Sequence, residues 1–347
     1  MIQKKGVDYM TKEENLNSEE TQQMEEIGDA ELKEKAINEF LAIKGVGKTA
    51  AEKIWDAQYF SLMDVAAASL GDFMERTGMT KSSAEKVISG ARALVDIGKS
   101  RLASDMLKEE DPSRLSTGSK MVDELLGGGY PLKLITEIFG ENGTGKSQCC
   151  LTASVLATQP KKDGGLDGHV VYIDTEGTFK AHRVKEIAET RGLNWEDVLS
   201  KIHVLRPMTT SHQLLMMDEV RKIGAEVPVK LVVCDSLMGH FRAEFVGRGV
   251  LAERQQLISK HLAEIKSFIT TNDAVGIITS QVSANPGLLF GDPNQAIGGN
   301  VVGHAVAYRV KIRKGKNGTR VFRLIKAPDL PESEAVALLT EKGIQDK

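Results

Sequence analysis

Between residues 134 and 280, short apolar runs alternate with stretches in which apolar residues return every three or four positions. The runs LITEIF (134–139), HVVYID (169–174), IHVL (202–205), LVVCD (231–235) and VGIITS (275–280) have the length and β-branched content of buried strands. Helical periodicity falls near 147–158, 182–191, 211–224 and 251–270. Strands alternating with helices predict a mostly parallel sheet with helices on both faces, because each crossover lays a helix against the sheet. After residue 305 the rhythm changes. AVAYRVKIRKGKNGTRVFRLI reads as two alternating runs about Asn317-Gly318, an antiparallel hairpin at the sheet edge.

The amino-terminal third has a different pattern. Residues 1–30 carry few apolar anchors and many carboxylates, and read as a disordered acidic tail. Residues 31–99 read as a small helical module, punctuated by the approximate repeat IKGVGKTAAEKI (43–54) and RTGMTKSSAEKVI (76–88). Residues 100–115 are polar and contain Pro112, which discourages a continuous helix; a linker to a core at 116–347 is expected there.

Composition narrows the class. The 347 residues suffice for one large domain and a smaller one. No apolar run approaches the ~20 residues that span a bilayer. The first residues lack the apolar core of a secretion signal, so a cytoplasmic location is expected. Cys149, Cys150 and Cys234 lie in apolar runs without CxxC spacing and read as small core residues of a reducing compartment. The net charge of −3 does not by itself point to nucleic acid. From Arg309 to Lys326, however, every charged residue is basic, and a local stripe matters more to a polyanion than the total. A solvated strand face is the other reading of that stripe.

The chemistry begins at GENGTGKS, a G-x-x-x-x-G-K-S loop directly after one strand and before one helix. Gly140, Glu141, Asn142, Gly143, Thr144 and Gly145 form a turn whose backbone N–H groups can face phosphate oxygens. Lys146 is placed to reach β- and γ-phosphates and Ser147 to hold Mg²⁺, so ATP with Mg²⁺ is the expected cofactor pair; Gln148 follows on the helix. Asp235, at the carboxyl end of LVVCD, is placed to support the Mg²⁺ shell. Glu176, just past VYID, is placed to hold an attacking water. Open α/β sheets bind their ligands outside the carboxyl ends of the strands, where both acids fall.

STGSKMVDELLGGG, GENGTGKSQ, VYIDTEGTF, HFRAEFVGRGVLAERQQ, FGDPNQAIGGN and RKGKNGTRVFRLIKAPDLPESEA follow one another over residues 116–336. With the helical module, they make nearly everything after residue 30 resemble the archaeal RadA recombinases. The resemblance implies a RecA-like P-loop ATPase core, mostly parallel with antiparallel carboxyl-terminal edge strands, preceded by an all-α helix-hairpin-helix domain. It implies a DNA-dependent ATPase, associated with the nucleoid, that forms helical filaments on single-stranded DNA and exchanges strands with homologous duplex. The implied partners are single- and double-stranded DNA, further copies of the chain in a filament or ring, and recombination mediators, with no membrane. A mediator paralogue and a hexameric helicase or clock-type ATPase are the alternatives. Intact Lys146, Glu176 and Gln281 argue against the first, and FRAEFVGRG with the amino-terminal module against the second.

Residue roles implied by the resemblance can be set against their chemistry. Arg242, Arg248 and Arg254 correspond to a first DNA-facing loop, where guanidinium forks suit phosphate and Gly247 and Gly249 keep the loop mobile. Residues 282–300 correspond to a second DNA loop, long and without clear internal structure. This chain departs from its relatives in having no Lys or Arg between Lys266 and Arg309, so DNA contact falls to the main chain of Gly298, Gly299 and Asn300. Gln281 corresponds to a sensor of the γ-phosphate, His304 to a residue approaching the nucleotide across a subunit interface, and Arg183 to one beside the adenine. KGVGKTAAEKI is similar to a helix-hairpin-helix, with Gly45 and Gly47 clamping a DNA phosphate and Lys44, Lys48 and Lys53 adding charge. The second copy, with Gly78 alone, reads as structural.

The linker of relatives carries Phe-x-x-Ala, which polymerises the filament. Here Ala103 fits the alanine but Ser100 stands for the phenylalanine, leaving Leu102 or Met106 in a shifted register and predicting weak assembly without DNA. KAPDLPE corresponds to a cap over a neighbouring subunit's nucleotide, with Pro331 against the adenine. Relatives begin this cap with an aspartate that helps hold a monovalent cation; Lys326 stands here, an ammonium able to replace one.

Overall fold

Apolar residues at helical spacing close the amino-terminal module on a core of its own. In the computed structural model, which describes residues 33–95, 102–109, 113–247, 249–284, 294–296 and 299–347, the chain divides into units Met1–Glu110 and Asp111–Lys347. The first unit holds helices α1 (33–41), α2 (Lys48–Asp56), α3 (Leu62–Ala67), α4 (Leu70–Thr77), α5 (Lys81–Leu94) and α6 (Ala103–Glu109). Phe40, Ile43, Ile54, Val65, Phe73 and Ile88 meet in its interior. Ser61 and Ser69 cap α3 and α4 through their hydroxyls, satisfying N–H groups the helices cannot. The expected acidic tail lies outside the described residues.

The expected linker is not devoid of structure. It contains α6, whose Leu102, Met106 and Leu107 flank are exposed, while Arg114 and Leu115 pair with Tyr130 and Pro131. Leu115 is fully buried in the core of the second unit, so packing begins before residue 116. Ser100 lies outside the described residues.

The second unit runs β1 (Arg114–Leu115), α7 (Lys120–Leu125), β2 (Tyr130–Pro131), β3 (Ile135–Gly140), α8 (Lys146–Ala157), β4 (His169–Asp174), α9 (Ala181–Thr190), α10 (Trp195–Ser200) and β5 (Ile202–Leu205). It continues through α11 (Thr210–Glu226), β6 (Val229–Asp235), α12 (Gly239–Glu244), α13 (Leu251–Thr271), β7 (Val275–Ala284), β8 (Asn294–Ala296) and α14 (Gly299–Ala305). It ends with β9 (Tyr308–Lys314), β10 (Thr319–Lys326), β11 (Ser333–Thr340) and β12 (Gly343–Gln345). The main sheet has the order β12-β11-β10-β9-β3-β7-β6-β4-β5, with β8 attached to β7. Strands from β9 to β5 are parallel and those from β12 to β9 antiparallel.

Each central strand is covered on both sides, which is why its sequence reads as a continuous apolar run. Ile138, Tyr172 and Val233 face one cluster with α7, α8, α9 and α10; Ile135, Val171 and Ile278 face the other with α11, α12, α13 and α14. The hairpin about Asn317 and Gly318 is present, both residues taking positive φ (54° and 76°), but β11 and β12 carry the sheet beyond it. Cys149, Cys150 and Cys234 are buried and unbridged, and burial pushes the Cys149 thiol up to about 12. Among the described residues no helix is long and apolar enough to cross a membrane.

The carboxyl terminus is tied back to the core. Asp346 accepts hydrogen bonds from Ser119 Oγ at 2.5 Å and from the backbone N–H groups of Met121 and Lys120 at 3.1 and 3.2 Å. Arg191 donates to the carbonyls of Lys342 and Ile344, both at 2.7 Å.

Candidate nucleotide and DNA site

The phosphate loop is shaped by its neighbours before any ligand is considered. A Cβ on Gly140 would collide with the carbonyl oxygen of Ile312 on the adjacent β9, so only glycine lets β3 end there. Gly143 and Gly145 take φ of 70° and 108°, which glycine adopts without strain. Thr144 Oγ1 donates to the Glu141 carbonyl at 2.9 Å, and Arg320 Nε of β10 donates to the Thr144 carbonyl at 2.7 Å. Lys146 Nζ lies 3.0 Å from both the Gly140 and Glu141 carbonyls. Burial holds the Lys146 pKa below the usual lysine value, with the charges of Asp235 and Glu176 opposing that fall.

The two acids stand at the carboxyl ends of neighbouring strands, β4 and β6, where Asp174 is in register with Asp235. Asp174 accepts from the N–H groups of Thr178 and Phe179 at 2.9 and 3.0 Å, folding the turn that presents Glu176. Thr175 Oγ1 accepts from Ser236 N at 2.9 Å and donates to Ser236 O at 2.7 Å, joining that turn to the end of β6. Glu176 Oε1 accepts from Ser236 Oγ at 2.9 Å and from Gln281 Nε2 at 3.1 Å. Asp235 is buried and accepts from Tyr172 Oη at 2.7 Å and Thr279 Oγ1 at 2.5 Å.

A cavity of about 270 Å³ brings Lys146, Ser147, Gln148, Glu176, Asp235 and Gln281 to one place, with Asn142, Gly143 and Gly145 on its wall. Asp174, Ser236, Tyr172, Thr279 and Arg320 are the supporting residues that motif reading missed. Asp174 carried a signal, since an acid at a strand end four and five residues before Thr178 and Phe179 matches a carboxylate-closed turn. The donor set is one of hard oxygens. Among the described residues no three His, Cys, Asp or Glu side chains form a metal cluster. The oxygens of Ser147 and Asp235 on the cavity wall are of the kind Mg²⁺ takes beside water and substrate phosphate.

Arg183 is engaged within the chain. Its Nε donates to Gln148 Oε1 at 2.8 Å, its Nη1 to Glu186 at 2.5 Å and to the Glu341 carbonyl at 3.1 Å, and its Nη2 to the Thr340 carbonyl. The side chain expected beside adenine therefore joins α9 to α8 and to the end of β11.

His304, Lys326 and Pro331 lie away from the phosphate loop. β10 begins next to that loop, through Arg320 and Thr144, and ends at Lys326. Seven steps of about 3.3 Å place its two ends roughly 23 Å apart. At the far end, Lys326 Nζ donates to the carbonyls of Gly303 and Val306, both at 2.8 Å, capping the last turn of α14 on which His304 is exposed. Beneath the same turn, Arg309 Nε donates to the buried Glu137 at 2.6 Å. The exposed Pro331 follows in a segment pinned by Asp329, which accepts from Tyr308 Oη at 2.5 Å.

The expected DNA residues are dispersed. Arg242, on α12, reaches Gln281 Oε1 at 3.5 Å, and Arg254, on α13, reaches the Phe245 carbonyl at 3.5 Å. Gly299, with φ of 61°, and Asn300 are exposed at the start of α14, while Arg248 and Gly298 lie outside the described residues. The loop 282–300 has internal structure, since β8 pairs with the extended end of β7. The basic stripe is not a free cationic face: besides Arg309, Arg320 and Lys326, Arg313 pairs with Glu334 and Arg323 with Glu332, each at 3.3 Å. In the first unit, Gly45 has φ of 89° and Gly47 opens α2 without a side-chain cap. Val46 is buried between them, and Lys44, Lys48 and Lys53 are exposed.

Residues 109–347 match the Rad51 family, and residues 37–93 match the SAM-like helix-hairpin-helix tandem family. The chain is 41% identical over 314 residues to the DNA repair and recombination protein RadA of Methanoculleus marisnigri, covering 87% of this chain and 97% of the relative. The protein of the same description from Methanocorpusculum labreanum is 41% identical over 321 residues, covering 87% and 97%. That from Aeropyrum pernix is 40% identical over 310 residues, covering 89% and 97%.

Proposed function

Because the chain belongs to the Rad51 family and is a RadA-type recombinase of recombinational DNA repair, we propose that it is a DNA-dependent ATPase that pairs and exchanges homologous strands. The observation that carries this reading is the convergence of Lys146, Ser147, Glu176, Asp235 and Gln281 on one cavity at the carboxyl edge of the sheet. The loop N–H groups and Lys146 hold the phosphates. Mg²⁺, when bound through Ser147 and phosphate oxygens, supplies charge neutralisation at the transferring group. Asp235, its oxygens already accepting from Tyr172 and Thr279, acts on that charge from behind. Glu176 orients the attacking water and receives its proton. Hydrolysis releases DNA, and no bond in DNA is made or broken.

The cap segment cannot cover its own phosphate loop across roughly 23 Å of β10. His304, Lys326 and Pro331 therefore serve the nucleotide of another copy, and the working form is a head-to-tail assembly on DNA. The first DNA loop supplies Arg242, Arg248 and Arg254, the second Gly298, Gly299 and Asn300, and the helix-hairpin-helix Gly45, Gly47 and Lys48. Such a protein works in the cytoplasm beside the chromosome.

Strand exchange between circular single strands and linear duplex tests the proposal. Wild type is expected to produce joint molecules with ATP, and E176Q to bind nucleotide without turning it over. Joint molecules formed equally well without nucleotide, or full turnover by E176Q, would overturn it.

A further inference from the structure

Arg242, expected to face DNA phosphates, is exposed and lies against Gln281. Its Nη1 lies 3.5 Å from Gln281 Oε1, and the other end of the same amide donates through Nε2 to Glu176 Oε1 at 3.1 Å. Ser236 Oγ donates to that same carboxylate oxygen at 2.9 Å. An unbroken line of side chains thus joins α12 to the acid at the phosphate site.

The line begins on a fixed support. Phe241, next to Arg242, is fully buried. Glu244 Oε1 accepts from Thr210 N at 2.8 Å, and His240 Nε2 lies 3.0 Å from the Pro207 carbonyl. α12 is therefore tied at two points to the segment 207–210 and anchored by Phe241, and the placement of Arg242 follows from the helix. The guanidinium itself has room to leave, since a cavity of about 300 Å³ opens beside Arg242, Gln281 and Ser236.

A carboxamide has a donor end and an acceptor end. A guanidinium has donors only, so its presence at Oε1 fixes the orientation in which Nε2 points to Glu176. Polarisation along the chain strengthens both bonds. Glu176 Oε1 then accepts two hydrogen bonds, which occupy both of its lone pairs.

We propose that Arg242 is a positioning residue that acts through Gln281 to restrain Glu176, and that a DNA phosphate relieves the restraint by taking the guanidinium for itself. A phosphate competes well for that group, because its charge and paired oxygens match the fork better than one neutral amide oxygen does. Once Arg242 leaves, the Gln281 amide is free to turn and one hydrogen bond to Glu176 is lost. DNA binding at α12 thereby frees a lone pair of Glu176 Oε1 for the attacking water with no displacement of the sheet. The inference rests on the reading of Glu176 as the residue that acts on water.

The test is ATP turnover by R242Q with and without saturating single-stranded DNA, alongside DNA affinity across a salt series. The DNA-free rate is expected to rise about three- to tenfold, the rate equivalent of one lost hydrogen bond, and stimulation by DNA to shrink in proportion. A residue that only touches phosphate would weaken binding and leave the DNA-free rate where it was; an unchanged or lower rate overturns the proposal. R242K, which keeps the charge but not the fork, is expected to show a smaller rise of the same sign, and serves if R242Q does not fold. Wild type without any ATP turnover would instead refute the underlying reading of the cavity.

Discussion

Replacing His261 with leucine should make the core markedly more resistant to acid. His261 sits on α13 with no exposed surface, and neither ring nitrogen has a hydrogen-bond partner among the described residues. Burial alone lowers its pKa from 6.5 to about 4. The folded chain therefore keeps this imidazole neutral where the unfolded chain takes a proton. Its contribution is complete above 6.5 and drains away as pH falls, until the folded form also protonates near 4. Between pH 7.5 and 4.5 this linkage removes about 2.5 kcal/mol from the wild type, at ~1.4 kcal/mol per tenfold change in proton binding. The assay is urea unfolding at both pH values. Trp195 reports the second unit and Trp55 the first, so a W55F background isolates the relevant transition. Carboxylates titrate alike in both proteins and cancel in the comparison. H261L should lose about 2.5 kcal/mol less than its parent over that interval. Equal losses would refute the reasoning.

Lys326→Asp should release the last turn of α14, because a carboxylate facing the Gly303 and Val306 carbonyls repels them until a cation intervenes. ATPase and strand exchange by the variant should then rise several-fold with potassium, whereas the wild type should change by less than about twofold, and strong potassium dependence in the wild type would count against the tethered ammonium. Asp346→Ala should lower core stability by about 1 kcal/mol, read by thermal melting, since the residue accepts from Ser119 and two N–H groups at the start of α7. The hydrogen bond from Ser119 lowers the Asp346 pKa below 3.8, so this contribution is present above that value and fades as pH falls through the lowered one. Arg248→Ala should reduce the slope of log affinity for DNA against log salt by about one, with an unchanged slope sinking its assignment to phosphate.

The parallel core was legible because its strands are buried on both faces. HVVYID and IHVL were bounded to the residue, and β3 and β6 shifted by no more than two positions. The phosphate loop was equally plain, since its glycines and lysine lie within eight consecutive residues. What stayed hidden were partnerships between distant positions. The basic stripe looked uncompensated because Glu137, Glu332 and Glu334, which pair with Arg309, Arg323 and Arg313, belong to other parts of the chain. Arg242 finds Gln281 and Lys326 finds two carbonyls of α14, contacts that only the folded sheet creates. α6 escaped notice because it is only seven residues long and its apolar side chains, Met106 and Leu107, remain exposed.

The proposed head-to-tail assembly, with phosphate loop and proposed cap separated by the length of β10, makes a prediction for mixtures of damaged molecules. A copy with a ruined loop still offers a sound cap, and a copy with a ruined cap still offers a sound loop. K146A and a cap-deficient variant, each inactive alone, should therefore complement one another when mixed. Random head-to-tail assembly of equal amounts restores both halves at about a quarter of the junctions. An open row of copies also has one bare loop at one end and one idle cap at the other. Its turnover per molecule climbs with its length, while a closed ring reaches the full value at once.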